Sequence, residues 1–250
     1  MNEDEPMNTL KSLNPDTKTE TIQVDVWSDV VCPFCYIGKR NLENALEQSG
    51  LADSVEVVWR SFELAPDAET KPGASIYEEL AARKGWSTEQ SKQIHNQMVQ
   101  MAKQSGLDFD FDQTIPANSF NAHRLLHLAK KHGVQNDTKE RLLKAYFTDG
   151  KNIDDPDFLI ATGKEAGLKE TEIRSALESD DIEKEVTEDI QNARAMGIYG
   201  VPFFVLDQKY SVSGAQPVDV FVQALQKAKA EKTPEGLPAD GDVCGPDGQC

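Results

Sequence analysis

Long apolar runs are missing from this sequence. Nowhere do about 18 apolar residues follow one another, the length a membrane-spanning helix needs, so no membrane role is expected. Basic charge is scarce too: 26 Lys and Arg face 43 Asp and Glu, a net charge of −17. That balance opposes nonspecific binding to nucleic acids or anionic lipid surfaces. An export signal is also lacking. Met1-Asn2-Glu3-Asp4-Glu5 is acidic where a secretory leader is basic, and no apolar core follows it. A cytoplasmic protein is therefore expected. Cysteines number only four, in two close pairs, which does not fit a disulfide-stapled secreted scaffold. No histidine or second cysteine pair stands at zinc-finger spacing beside either one, so no metal site is expected.

What is present points to thiol chemistry. Cys32-Pro33-Phe34-Cys35 follows an apolar β-forming run, Thr21–Trp27, and opens a helical pattern over 36–48 that stops near Gly50. Pro33 suits a first helical turn, where its missing N–H costs nothing. A cysteine at a helix start faces free backbone N–H groups and the positive end of the dipole, which favour its thiolate. Cys32 is thus the expected attacking thiolate and Cys35 the resolving thiol. Either Asp25 or Asp29 could accept a proton from Cys35, although Asp29 reads as a solvated surface residue.

A second strand pattern, Val55–Phe62, completes a βαβ unit. Strand signals then nearly vanish. Ser87-Thr88-Glu89-Gln90 is a capping box opening a helix to about Lys103, and further helical patterns cover 117–132, 137–148, 155–166, 170–178 and 180–196. β-formers resume at Pro202–Leu206, turn near Asp207-Gln208, and return at Tyr210–Ser213. An amphipathic helix closes the pattern over 217–232. The segments are a 1–20 extension, a 21–65 first half, a 66–197 helical insertion, a 198–232 second half and a 233–250 tail.

Gly200-Val201-Pro202-Phe203 puts a proline at a strand start. A cis Val201–Pro202 bond there would expose the Val201 backbone to an extended substrate. His123 and His127 stand four apart on one helix, with no third ligand nearby. Cys244 and Cys250 stand six apart in the tail, with Gly245, Pro246 and Gly248 between them to let the segment curl and close a disulfide. About 16 residues after Pro234 reach on the order of 20 Å, enough for a shuttle dithiol.

CPFCYIGKR, the stretch Pro116–Leu125, the GVPFF run and Ser213-Gly214-Ala215-Gln216-Pro217 together resemble the FrnE-like branch of the DsbA family over about residues 21–232. The resemblance implies an α/β thioredoxin-like fold (βαβ…ββα) with a large inserted all-helical domain. It implies dithiol oxidoreductase chemistry without a cofactor, with Cys32 nucleophilic, Pro202 cis, and substrate contacts from Pro33, Phe34, Val201 and Pro202. It is compatible with a C-terminal shuttle pair. Expected partners are proteins with disulfides or dithiols, with glutathione or thioredoxin as redox partner, and neither nucleic acid nor membrane. Phe34 departs from periplasmic relatives, which usually carry a histidine there. Without that donor the Cys32 thiolate should be less favoured and the oxidant weaker. The rival from the same fold is a glutathione-dependent isomerase or transferase, similar to 2-hydroxychromene-2-carboxylate isomerases and kappa-class transferases. Those place Ser at the first motif position, where Cys32 stands here.

Overall fold

A computed structural model describes residues 21–232. The expected extension 1–20 and tail 233–250, with Cys244 and Cys250, lie outside the described residues. Alternating and continuous runs of Ile, Val and Trp make β1 (Ile22–Ser28) a strand buried on both faces. The chain then turns at 29–32 into α1 (Pro33–Ser49), whose C-cap Gly50 sits in the left-handed region at φ 66°. A short 3-10 turn leads to β2 (Val55–Ser61), which pairs parallel with β1, Val24 opposite Val57.

Seven helices follow before the sheet resumes: α2 (Ile76–Lys84), α3 (Thr88–Gln104), α4 (Phe120–Lys131), α5 (Gln135–Phe147), α6 (Pro156–Glu165), α7 (Glu170–Glu178) and α8 (Asp180–Ala195). β3 (Phe203–Leu206) and β4 (Tyr210–Ser213) then form a hairpin, turning through Asp207 and Gln208 with both φ values positive. The last element is α9 (Val218–Lys232). Strand order is β2-β1-β3-β4, with β3 antiparallel to both neighbours. This is the thioredoxin arrangement, with α2–α8 inserted between its halves. No described helix is long and apolar enough to cross a membrane.

Two larger cores divide the work. Ile22, Val24, Val26, Phe204, Phe221 and Leu225 fill the space between the sheet, α1 and α9. The other core is built by the inserted helices but reaches into the scaffold through Val30, Tyr36 and Ile37. A polar clasp reinforces that junction: Glu140 on α5 takes hydrogen bonds from Tyr36, Lys39 and Arg40 on α1, at 2.6–2.7 Å.

β2 is an edge strand, and α5 covers it. The Gln135 amide accepts from the Trp59 backbone N–H at 3.0 Å and donates to the Trp59 carbonyl at 2.9 Å. A side chain here does what a fifth strand would do, satisfying an edge that would otherwise pair with another chain.

The helix Ile76–Lys84 was not expected from sequence. Only Ile76 and Ala81 are buried along it, too thin an apolar stripe to register as a period.

Candidate active site

The dithiol lies at the carboxyl end of β1. Cys32 is the N-cap of α1, Pro33 its first residue, and the Cys35 N–H donates to the Cys32 carbonyl at 3.0 Å. Both thiols are free and buried, Cys32 at 3% exposure and Cys35 at 0%. The small difference matters, because only Cys32 lines the adjoining cavity.

The Val201–Pro202 bond is cis. The Val201 carbonyl accepts from the Cys32 thiol at 3.6 Å, while the Pro202 carbonyl accepts from the Gly214 N–H at 2.8 Å. Gly38 makes this approach possible. A Cβ there would stand 3.0 Å from Pro202 Cγ and 3.1 Å from the Phe204 ring, closer than carbon atoms pack without displacement.

The charge distribution differs from the expectation of a thiolate resting on Cys32. The Cys32 thiol is pushed well above the usual range, by its hydrogen bond to Cys35, by burial and by the Cys35 charge. Cys35 is held below that range despite its burial. The Cys32 thiol, the Lys139 ammonium and the Ser28 hydroxyl all favour its anion. Ser28 Oγ is fully buried and makes no hydrogen bond to any described residue, so its hydroxyl is free to turn toward the Cys35 sulphur.

Behind the dithiol is a polar cluster, most of it supplied by the insertion. Lys139 on α5 is 1% exposed, and its Nζ lies 5.7 Å over the Trp59 ring. Burial lowers its pKa to about 8, against the pull of the Cys35 and Asp29 anions. Asp29 is fully buried, not solvated as expected, because it serves as an acceptor. Its Oδ2 takes the Leu64 N–H at 2.8 Å and its Oδ1 meets His123 Nε2 at 3.3 Å. Those bonds hold its carboxyl below the usual range although burial opposes them. Asp25 is instead tied to Arg60 on the sheet at 2.7 Å.

His123 and His127 serve different neighbours. His127 Nε2 meets Ser61 Oγ at 3.0 Å and Asp189 at 3.3 Å, joining α4 and α8 to β2. Sequence reasoning missed Lys139 altogether, since a lysine among charged helix residues gives no sign of burial.

Beside Cys32 a cavity of about 310 Å³ opens between scaffold and insertion. Phe34, Val201, Leu80, Trp86 and Met98 are among its walls. Pro33, Phe34 and Val201 line this cavity together with Cys32.

Comparison with known proteins agrees with this architecture. A probable DsbA oxidoreductase from Streptomyces coelicolor is 38% identical, with a TM-score of 0.78, covering 90% of this chain and 97% of that structure. The uncharacterized protein YwbO of Bacillus subtilis is 28% identical over 214 residues, 85% of this chain and all of the relative. The cytosolic disulfide reductase DsbM of Pseudomonas aeruginosa shares the fold at 16% identity and a TM-score of 0.59, covering 82% of this chain and 97% of that one. The model of the DSBA-like thioredoxin domain matches residues 23–226, and the chain belongs to that family.

Proposed function

We propose that the protein is a thiol–disulfide oxidoreductase that exchanges disulfides of protein substrates through Cys32 and Cys35. The observation that carries this reading is the division of labour within the dithiol: Cys32 opens onto a cavity, while Cys35 is sealed among groups that stabilise its anion. Access selects Cys32 as nucleophile, and electrostatics select Cys35 as the base that takes its proton.

As Cys32 Sγ attacks a substrate disulfide, its proton passes to the Cys35 thiolate. A Cys32–substrate disulfide forms, and the leaving sulphur departs as a thiolate that takes a proton from water. Cys35 then gives that proton to the hydroxide left in water and attacks Cys32 Sγ, releasing the second substrate sulphur as a thiolate. Two electrons have moved to the substrate, and the enzyme holds a Cys32–Cys35 disulfide. A dithiol or glutathione-type reductant resets it; the reverse sequence oxidises a substrate dithiol. Val201 backbone groups pair with the substrate chain during the exchange.

Cys244 and Cys250 extend this reading as an auxiliary dithiol. Lys232 ends α9 beside Thr21, where its Nζ reaches the Thr21 carbonyl at 2.5 Å. That is the end of β1 away from Cys32, about 23 Å distant along the strand. Twelve further residues span at most about 40 Å, so Cys244 can reach the dithiol of its own chain at little more than half of full extension. Replacing both tail cysteines by Ser should slow reoxidation of the dithiol while sparing a single turnover.

The decisive experiment is insulin reduction and disulfide refolding by Cys32→Ser. Loss of both is expected; retained turnover overturns the reading. A glutathione redox titration of the wild type then decides whether it works as reductant, isomerase or oxidant.

A further inference from the structure

The cavity beside Cys32 is apolar apart from a few groups, and two of these are conspicuous. His95 is 1% exposed and Tyr146 3% exposed, and both line the cavity. His95 Nδ1 donates to the Ser91 carbonyl at 2.7 Å. Burial lowers its pKa, so the ring is neutral and its Nε2 is an acceptor. That nitrogen has no hydrogen-bond partner among the described residues, and neither has the Tyr146 hydroxyl. The ring itself is fixed edge-on between Tyr77 and Phe111, at 5.1 and 4.5 Å. An acceptor and a hydroxyl thus stand in the wall of an apolar chamber, available to an occupant that displaces the water there.

We infer that this chamber is a specificity subsite for a tyrosine side chain lying next to the reacting cysteine of a substrate polypeptide. The inference rests on the oxidoreductase reading above. A phenol matches the chamber in size and in chemistry. Its ring fills a space of about 310 Å³ between Phe34, Leu80, Met98 and Trp86. Its O–H donates to His95 Nε2, and its oxygen accepts from Tyr146. Glutathione fits the same space poorly. Its two carboxylates and one ammonium would meet an apolar wall whose cation is Lys84, and their desolvation would go largely uncompensated.

The test is a series of short peptide disulfides carrying Tyr, Phe, Ala or Glu beside the reacting cysteine, compared by kcat/KM. Phe should exceed Ala by about tenfold through buried area, and Tyr should exceed Phe by about fivefold for each hydrogen bond made. In the double variant His95→Phe/Tyr146→Phe the Tyr-to-Phe ratio should fall to about one; a ratio does not depend on how much of the variant folds. Equal turnover of all four peptides by wild type overturns the subsite but leaves the oxidoreductase reading intact. A Tyr preference that survives in the double variant also overturns it. Should no peptide be turned over, the oxidoreductase reading fails, and binding decides the chamber's chemistry: para-cresol must quench Trp86 fluorescence at lower concentration than toluene. Equal quenching overturns the subsite.

Discussion

Cys32 Sγ and the Val201 carbonyl oxygen, 169 residues apart in the chain, stand 3.6 Å from each other. The contact binds the reactive thiol to the loop before β3 and leaves Cys35 out of reach of solvent. Cys35→Ser should therefore slow the first attack, by removing the thiolate that accepts the Cys32 proton, and abolish the second. The variant is expected to accumulate a mixed disulfide with substrate, visible as a mass increase that dithiothreitol reverses. Free product from repeated turnover would contradict the assigned order of the two thiols.

Lys139 carries a cost in stability. Its folded pKa of about 8 lies below the unfolded value of 10.5. The stability linked to this group is present above pH 10.5 and lost as pH falls through about 8, so the full penalty applies at neutral pH. Lys139→Met should make the fold more stable, on the order of 2 kcal/mol in chemical denaturation. The same change should move the alkylation-rate pH profile of the dithiol upward by about one unit, since the Cys35 anion loses its cation. An unmoved profile would remove Lys139 from the redox centre.

Acid should weaken the fold in two stages. His123 has its pKa lowered by burial, so its contribution is present above about pH 6.5 and is lost as pH falls through the lowered folded value. Asp29 is also lowered, and its contribution is lost further down, from about pH 4. Denaturation series in wild type and Asp29→Asn should differ in shape, the variant lacking the loss below about pH 4 and, without the carboxylate beside His123, holding that ring neutral to lower pH. Parallel curves throughout would show that the Asp29 carboxylate bears no such load.

Gly38→Ala tests the fit of α1 under Pro202. Alanine favours a helix by about 1 kcal/mol, yet its Cβ would meet Pro202 Cγ at 3.0 Å. Overpacking of this kind costs about 1–3 kcal/mol. We expect no gain in thermal stability and a several-fold loss in kcat/KM, because the Val201–Pro202 loop must shift away from Cys32. A stabilised, fully active variant would mean that the loop gives way freely.

The scaffold was readable because its signals are local. A β-forming run before CPFC, a glycine stop at Gly50 and the Tyr210–Ser213 return strand each announce themselves within a few residues. The polar half of the site was not readable. Asp29 sits in a turn that looks solvated, and what buries it is His123, 94 residues on, together with the Leu64 N–H. Lys139 and Tyr146 carry ordinary helix-surface and helix-core types, and only the packing of α5 against β2 and α1 gives them a role. The helix at Ile76–Lys84 escaped because two buried side chains make no period.

One helix of 13 residues plugs the edge of the sheet with Gln135, sets the charge behind Cys35 with Lys139, clasps α1 with Glu140 and enters the cavity with Tyr146. Grafting CPFC onto another thioredoxin would therefore carry over the sulphurs without their tuning. Conversely, a small rotation of α5 alters reactivity and selectivity together, so substitutions on its outer face offer a handle for adjusting both without touching a cysteine.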